Sequence, residues 1–268
     1  MFHADHALAR RLEGLIRTEY RRLAEVARSV FPDRGADILE VAGGVALWLG
    51  EGSPVNQAAG LGMAGGVRED DVERLEAFYH ERHAAASAGV CQLADPSLFE
   101  VLGRRGWRVS QFEHVLALEL ETWQRAAGQE DLEVHACTAS EREIWGRVAA
   151  QGFADVMRPG AGEEEFGRIM AARDEAVLVL AWAEGEPAGT GSLVIDGGVG
   201  WLSGDSTLPR YRRRGLQQAI QRSRLSLARD AGCDLAVTEA APGSPSQRNM
   251  ERLGFRIVYT HVEFSKEP

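Results

Sequence analysis

A short basic stretch stands out in an otherwise acidic chain. The segment RYRRRGLQQAI, residues 210–220, places four arginines ahead of Gly215 and a helical pattern. The first amides of a helix have no acceptors within the helix and attract anions. Glycine lets the backbone approach a ligand closely. These features predict a phosphate cradle between a strand and a helix. The alternative is a solvated basic helix start, which the helix dipole disfavours.

A nucleotide-binding P-loop is the obvious competitor for this interpretation. It requires Gly-x-x-x-x-Gly-Lys-Ser/Thr, and the sequence contains no such run. The formal net charge is −10, whereas generic nucleic-acid binding depends on a broad basic surface. We therefore expect an anionic ligand at a local basic patch and no nucleic-acid partner.

The remaining composition is that of a globular protein. Of the 268 residues, 44% are hydrophobic and 26% are charged, which suits one large domain or two small ones. Cys91, Cys137 and Cys233 are scattered without metal or redox spacing, so we expect no metal and a reduced, cytoplasmic setting. The N-terminus lacks the apolar core of a signal peptide, and no apolar run is long enough to span a bilayer. We therefore expect no membrane partner.

Hydrophobic periodicity predicts two successive sets of elements on either side of the polar stretch QRAAGQED, residues 124–131. The first set is a helix over 5–30, two strands around a glycine turn, a helix, a strand, a helix and a closing strand. The second set is a strand, two helices, three strands, the helix over 215–230, a strand, a helix and a final strand. Ser140 is the predicted N-cap of the second set's first helix. PSLFEVLGRRGWRV and PSQRNMERLGFRIV are weakly alike, which favours an internal duplication with domains at 1–125 and 126–268.

The second half resembles a known family. TLPRYRRRGLQQAI is similar to the acyl-CoA-binding segment of the GCN5-related N-acetyltransferases (GNAT), whose signature is Gln/Arg-x-x-Gly-x-Gly/Ala. Tyr211, Arg212 and Gly215 match, whereas Gln217 departs from the last position. NMERLGFRIVY matches the second landmark of the family, and the order of elements from 132 to 268 agrees with it. The resemblance implies an α/β (α+β) fold of two GNAT-like domains, each a mixed, mostly antiparallel sheet flanked by helices.

The same resemblance implies acetyl-CoA as cosubstrate. The backbone at the end of the strand WLSGDSTLP would pair with the pantetheine arm, and amides from Arg213 to Gln218 would hold the pyrophosphate. The residues thereby assigned to acetyl-CoA are Thr207, Leu208, Arg212, Arg213, Arg214, Gly215, Leu216, Gln217, Gln218, Ser246 and Asn249.

Acetyl transfer needs a neutral amine, a donor to the oxyanion and a proton for the leaving thiolate. Asp205 and Glu239 are alternative general bases, because both lie near the ends of strands expected to flank the thioester. A turn-capping or surface carboxylate is the other interpretation of each. The family's acidic tyrosine falls on Met250, which cannot donate a proton. Tyr259 and Ser246 are the candidate substitutes.

The first half carries no equivalent cradle by sequence. Gly66 would correspond to Gly215, but Glu69, Asp70, Asp71 and Glu73 crowd the helix that follows and would repel a pyrophosphate. We predict that this half does not bind CoA and serves as structure or as part of the acceptor cleft.

The predicted activity is direct acetyl transfer, in a ternary complex, to the amine of a small molecule or peptide. The alternative, which Met250 favours, is a non-catalytic acetyl-CoA-binding sensor. Dimers are the commonest oligomers, so a homodimer is the default expectation.

Overall fold

The computed structural model describes residues 4–124, 132–154 and 158–268. These form two compact units, which we call unit 1 and unit 2. Unit 1 contains Met1–Leu116, Glu239–Arg248 and Ile257–Pro268, and unit 2 contains Ala117–Thr238 and Asn249–Arg256. The units do not coincide with the continuous segments 1–125 and 126–268, because the last strand of the chain belongs to unit 1. The junction was predicted at 124–131, and residues 125–131 of it lie outside the described residues.

Helices and strands follow the predicted order, apart from the short strand at Ala58–Ala59, which was not predicted. The helices are α1 (His6–Val30), α2 (Glu69–His80), α3 (Pro96–Arg104), α4 (Arg142–Phe153), α5 (Ala161–Ala171), α6 (Leu216–Asp230) and α7 (Pro245–Arg252). The strands are β1 (Asp37–Val41), β2 (Gly44–Trp48), β3 (Ala58–Ala59), β4 (Ala86–Cys91), β5 (Arg108–Glu119), β6 (Val134–Ala136), β7 (Val177–Ala183), β8 (Glu186–Asp196), β9 (Val199–Thr207), β10 (Leu235–Ala240) and β11 (Arg256–Lys266). The predicted α/β (α+β) fold class is confirmed.

One local prediction is wrong. Thr138, rather than Ser140, caps the entrance to α4. The Thr138 N–H donates to Glu141 Oε2 over 2.8 Å, and the two residues form a reciprocal capping box. The box starts a short 3₁₀ turn that leads into α4, so the cap falls two residues earlier than the apolar pattern suggested.

The sheet of unit 1 is completed by the last strand of the chain. Its order is β1–β2–β3–β4–β11, followed by the first part of β5. β11 pairs antiparallel with β4, with His261 opposite Cys91 and Lys266 opposite Ala86. Helix α1 packs on β2 and β3 and buries Leu12, Ile16 and Leu23. A polar side chain of the same helix, Glu13, is also fully buried.

The sheet of unit 2 has the order β6–β7–β8–β9–β10. Neighbouring strands are antiparallel except for β9 and β10, which are parallel. Helices α4 and α6 both pack on β8 and β9. One cluster of buried side chains joins the start of α6 to this sheet: Val148, Val179, Ala181, Ala188, Leu208, Tyr211, Leu216 and Ile220. Within the described residues, no helix combines the length and the apolar character needed to cross a membrane.

Helices α4 and α5 cross at two glycines. A Cβ added to Gly167 would lie 2.4 Å from the carbonyl oxygen of Gly146, and one added to Gly146 would lie 2.8 Å from that of Gly167. The backbones therefore touch, and side chains at these positions would force the helices apart.

We expect Gly167→Val to lower the free energy of unfolding by at least about 2 kcal/mol, because overpacked cores relax only by moving backbone. Urea unfolding measures the loss. The control is Gly103→Ala in α3, where an added Cβ meets nothing within 4 Å and helix propensity favours alanine by about 0.5–1 kcal/mol. Equal stability of Gly167→Val and the unsubstituted chain would contradict the crossing.

Candidate active site

The entrance to α6 is a loop with two left-handed residues. After β9 ends at Thr207, a 3₁₀ turn covers Pro209–Tyr211. Arg213 has φ 63° and Gly215 has φ 82°, and α6 begins directly afterwards. Left-handed residues in such a loop turn successive amides toward one concave side, which favours anions. A non-glycine residue in this conformation is uncommon, so its presence at Arg213 marks a constrained loop.

Apolar anchors hold this loop while its arginines face solvent. Leu208, Tyr211 and Leu216 are buried, whereas Arg212, Arg213 and Arg214 are exposed. The Arg212 Nε donates to the carbonyl of Thr207 over 3.1 Å. Arg214 forms an exposed ion pair of 2.5 Å with Glu184. Among the described residues Arg213 has no ion pair, so its guanidinium remains available to a ligand.

Beside this loop lies a cavity of about 290 Å³. Its lining includes Trp182, Glu184, Arg214 and Leu216. The Arg214–Glu184 pair stands at this cavity, and Leu216 is the first residue of α6. The loop and the cavity therefore share their boundary residues.

Two glutamines extend from the cradle along α6. The Asn249 side-chain amide donates to Gln217 Oε1 over 2.7 Å, so Gln217, which departs from the expected glycine or alanine, ties α6 to α7. One turn further, Gln221 is fully buried, and neither its Nε2 nor its Oε1 has a hydrogen-bond partner among the described residues. Sequence reasoning missed Gln221; its spacing of four residues from Gln217 was the available signal. Gln218, between them, is half-buried.

The end of β9 contains a β-bulge. Thr190 pairs with Ser206 and Ser192 pairs with Ser203, so Gly191 faces two residues, Gly204 and Asp205. Gly204 adopts φ 66°, as bulges often require. The parallel pairing with β10 runs from Val199 to Trp201 and precedes the bulge. The bulge thus follows the part of β9 that pairs with β10.

Asp205 forms an ion pair with a buried arginine. Its carboxylate contacts Arg224 of α6, which is fully buried and also donates to the carbonyls of Ser192 and Ser203, each over 2.9 Å. Burial raises the pKa of Asp205, while the guanidinium of Arg224 opposes that rise. The carboxylate therefore balances a buried charge, and its role as a general base stays a prediction.

The side-chain hydroxyls of Ser206 and Thr207, which follow the bulge, differ in their hydrogen bonding. Ser206 Oγ contacts Thr190 Oγ1 at 2.8 Å and donates to the Val148 carbonyl. The Thr207 Oγ1 is buried without a hydrogen-bond partner among the described residues. The Leu208 N–H donates to the carbonyl of Ala188 over 2.9 Å. That group is used within the sheet, so pairing of Leu208 with a pantetheine arm cannot involve its N–H.

The other predicted catalytic residues lie in unit 1. Glu239 Oε1 is 3.1 Å from His261 Nδ1. The Tyr259 hydroxyl donates to Glu13 Oε1 over 2.6 Å, and the tyrosine is buried. Burial raises the pKa of Tyr259 well above its usual value, and the nearby Glu13 raises it further. Ser246 lies in the first turn of α7, also in unit 1. Met250, at the family's tyrosine position, is buried in unit 2.

Sequence reasoning gave His261 no catalytic role and did not identify Glu13. His261 Nε2 lies 2.7 Å from Glu13 Oε1, so the imidazole contacts a carboxylate at each ring nitrogen. Burial lowers the pKa of His261, but Glu13 and Glu239 outweigh it and raise that pKa well above its usual value. The alternation of Tyr259, His261 and Glu263 on β11 was the available signal, since such residues share one face of a sheet.

A further carboxyl group, that of Glu113, interacts electrostatically with Glu239, Glu263 and His261. Burial raises its pKa to about 8, with further contributions from Glu239 and Glu263, while His261 lowers it. The Gln111 side chain donates to Glu263 Oε2 over 2.9 Å. Several carboxyl groups therefore lie around His261. Among the described residues no group of three or more His, Cys, Asp or Glu side chains is placed to hold a metal ion.

Unit 1 contains a glycine-rich loop of its own, which the sequence analysis also missed: Gly-Leu-Gly-Met-Ala-Gly, residues 60–65. The Gly62 N–H donates to the carbonyl of Ala42, and the Val67 N–H donates to Ser97 Oγ. In the first turn of α2, Asp71 accepts from the Arg68 N–H. These donors are used by the protein itself. Their use within the protein supports the prediction that the N-terminal half has no CoA cradle.

With this geometry described, the chain can be compared with known proteins. Residues 146–255, which include the α6 entrance, match the acetyltransferase (GNAT) family. This segment is therefore similar to GNAT acetyltransferase domains. No curated protein matches the sequence.

Solved structures show that the GNAT fold extends further. A GCN5-related N-acetyltransferase from Kribbella flavida is 20% identical, with a TM-score of 0.65, and the match covers 91% of this chain and 95% of that one. Another from Sphaerobacter thermophilus is 16% identical, with a TM-score of 0.62, covering 87% and 76%. A tandem GNAT protein from the clavulanic acid biosynthesis pathway is 14% identical, with a TM-score of 0.60, covering 84% and 78%. At these identities the likeness establishes the fold alone.

We expect Asp205→Asn to reduce the free energy of unfolding of unit 2 by about 3–5 kcal/mol, because it leaves the Arg224 charge buried and unpaired. Chemical unfolding measures this loss. Glu184→Gln is the matched control, since it removes an exposed ion pair worth about 0–1 kcal/mol. If Asp205→Asn were as stable as the unsubstituted chain, the carboxylate would not be balancing Arg224.

A second prediction concerns pH. The folded pKa of Glu113 is raised from 4.5 to about 8, so the folded state binds this proton more tightly than the unfolded chain. The resulting stability is complete below pH 4.5 and is lost as pH rises through about 8. His261, whose pKa is also raised, contributes a loss of the same sign at higher pH.

We expect Glu113→Gln to reduce the decline in unfolding free energy between pH 5 and 9 by about 2–4 kcal/mol, at about 1.4 kcal/mol per pKa unit. Urea titrations at each pH measure it. Glu100→Gln on the exposed face of α3 is the control and should leave the decline unchanged. If the free energy of unfolding of Glu113→Gln declined with pH as steeply as that of the unsubstituted chain, the Glu113 carboxyl would be ionised in the folded protein.

Proposed function

We propose that this protein is an acetyl-CoA-dependent N-acetyltransferase, with the cosubstrate bound at the entrance to α6. The observation that carries the proposal is the left-handed loop at Arg213 and Gly215, which lies inside the segment that matches the GNAT family. The loop presents helix amides and an exposed arginine together, which is the chemistry that a pyrophosphate requires.

The described residues fit the cosubstrate in three respects. Arg213 has no ion pair among them and is exposed, so it can contact a phosphate. Amides at Leu216, Gln217 and Gln218 occupy the first turn of α6, where no carbonyl of the helix accepts from them. The buried, unpartnered Thr207 Oγ1 and Gln221 amide supply donors and acceptors that suit the amide-bearing arm of CoA. Acetyl-CoA, when bound, supplies an acetyl group activated as a thioester.

Direct transfer to an amine fits the cysteines better than a covalent enzyme intermediate. Burial raises the pKa of Cys91 and of Cys137 to about 12 each, so neither is a thiolate near neutral pH. Cys233 is buried next to the start of β10. The amine nitrogen would therefore attack the thioester carbonyl itself, in a ternary complex.

The proposal extends to the acceptor, to unit 1 and to the assembly. We propose an amine of a small molecule or peptide as acceptor, unit 1 as a part that does not bind CoA, and a homodimer as the assembly. None of the three cysteines forms a disulfide within the described residues, which suits a reducing cytoplasmic setting.

A calorimetric titration with acetyl-CoA tests the cradle. We expect one site per chain, and we expect Gly215→Val to weaken binding by at least about tenfold, because a β-branched side chain disfavours the left-handed φ that shapes the loop. Gly197→Val is the matched control: Gly197 has φ 52° in the β8–β9 turn, and an added Cβ meets nothing within 4 Å. Unchanged affinity in a folded Gly215→Val chain would remove the cradle from this loop, and two sites per chain would show that unit 1 binds CoA.

Thiol release in the presence of amines tests the reaction. We expect free CoA to form only when a suitable amine is present, and the product to be its acetamide. A chain that binds acetyl-CoA and leaves the thioester intact with every amine would contradict the enzymatic part of the proposal.

A further inference from the structure

We propose that the outer edge of β5 in unit 1, residues 108–113, binds an extended peptide that carries lysine side chains on one of its faces. The inference goes beyond the proposed transfer reaction, because it gives unit 1 a ligand of its own and involves no group of unit 2. The observation that points to it is an exposed strand edge that leads into a group of carboxylates.

The first half of β5 is the terminal strand of the unit 1 sheet. β5 contains 12 residues, whereas β10, its neighbour on the side away from β11, contains six. The Leu120 N–H donates to the carbonyl of Asp234 over 3.0 Å, just before β10 begins. A six-residue strand that starts there reaches back only to about residue 114 of β5. Among the described residues, 108–113 therefore have a strand neighbour on one side alone.

Burial along β5 agrees with an open edge. Residues 108–112 are exposed, whereas residues 115–118 are buried. The exposed residues include two large apolar side chains, Val109 at 50% and Phe112 at 51% exposure. Backbone groups of an edge strand that lack a partner can pair with an added strand, and proteins usually protect such edges with prolines, bulges or several charges. The segment RVSQFE has no proline and one residue of each charge, so it remains suited to pairing.

The two faces of this edge differ in character. Because side chains alternate along a strand, Gln111 and Glu113 lie on one face, and Arg108 and Phe112 lie on the other. The Gln111 side chain donates to Glu263 Oε2 over 2.9 Å, so the first face is the one that carries the carboxylates of unit 1. An added strand would place alternate side chains beside Glu113 and the others beside Phe112.

The first face is negatively charged at the inner end of the edge. Glu113 interacts with Glu239, Glu263 and the imidazole of His261, and the Glu239 side chain is 27% exposed. Behind the imidazole, Glu13 Oε2 is buried without a hydrogen-bond partner among the described residues. Carboxylates therefore outnumber the cation, and a positive side chain is attracted. Lysine suits this face because its ammonium is a compact charge on a flexible stem with three donors.

Glu113 couples peptide binding to pH. Its pKa of about 8 keeps the carboxyl mostly protonated at pH 7 in the free protein. A lysine ammonium beside it favours the carboxylate form, so binding releases a proton, and affinity rises as pH increases through about 8. The titratable groups around this carboxyl are Tyr20 and Glu13 on α1, Glu239 at the end of β10, and His261 and Glu263 on β11.

Calorimetric titration of the full chain with three hexapeptides tests the proposal. All three have blocked ends. The probe alternates lysine and valine, the second peptide has glutamate in place of lysine, and the third is the probe with every backbone nitrogen methylated. We expect one site per chain for the probe. The other two should bind at least about tenfold more weakly, because one reverses the charge and the other cannot donate to a strand edge.

Variants of the edge separate its two faces. Glu113→Gln should weaken binding of the probe by at least about threefold and abolish the proton release, which titrations in two buffers of different ionisation heat measure. Phe112→Ser should weaken binding by at least about threefold through loss of apolar contact. The matched controls are Glu100→Gln on α3 and Phe153→Ser on α4, which also remove an exposed carboxylate and an exposed phenylalanine. Both should keep the affinity of the unsubstituted chain.

Hydrogen exchange locates the bound peptide. With saturating probe, backbone amides within 108–113 should exchange at least about tenfold more slowly, because strand pairing protects them. Amides of β4, which is already paired on both sides by β3 and β11, should exchange as before. Protection elsewhere in the chain without protection of 108–113 would overturn the proposal.

The remaining outcomes are equally decisive. No binding of the probe at about 1 mM, or equal affinity for the methylated or the glutamate peptide, would overturn the proposal. A dimer in sedimentation that becomes monomeric in Phe112→Ser would assign the edge to a second copy of the chain and would overturn it too. Acetyl-CoA and thiol release take no part in these measurements, so this inference and the proposed function fail separately.

Discussion

The antiparallel pairing of β4 with β11 is the contact on which unit 1 depends. It joins Ala86–Cys91 to His261–Lys266, which lie at least 170 residues further along the sequence. Because successive residues of a strand face opposite sides, this register puts Tyr259, His261 and Glu263 on one face. Helix α1 supplies Glu13 to that cluster. A shift of one residue would turn all three side chains away from Glu13.

Unit 2 depends in a comparable way on one buried arginine. Arg224 of α6 reaches the bulge of β9 and bonds two carbonyls and the Asp205 carboxylate. It has room because residue 191 is glycine: an added Cβ would lie 2.6 Å from Ile220 and 2.7 Å from Arg224. The helix whose first turn forms the candidate cradle is thus fixed two turns later by a charge.

Local patterns predicted the elements well and their partners less well. Apolar spacing located α1 and α6 within one residue, and glycine with flanking arginines located the candidate cradle. Three features were beyond such reasoning. The local sequence RSRL predicts that Arg224 lies on the surface, because no neighbouring residue indicates that it contacts the bulge of β9. The cap at Thr138 depends on a 3₁₀ turn that apolar periodicity does not register. The assignment of β11 to unit 1 depends on a pairing across about 170 residues, which no local pattern contains.

The same pairing bears on the predicted internal duplication. A simple duplication predicts that the N-terminal segment is a copy that has lost its ligand. In this chain the N-terminal helix instead gives a fully buried carboxylate to two residues of the last strand, Tyr259 and His261. A buried charge persists only where a partner offsets its desolvation, so Glu13 and His261 depend on each other. The first segment is therefore needed for the fold of unit 1, because the last strand cannot bury His261 without Glu13.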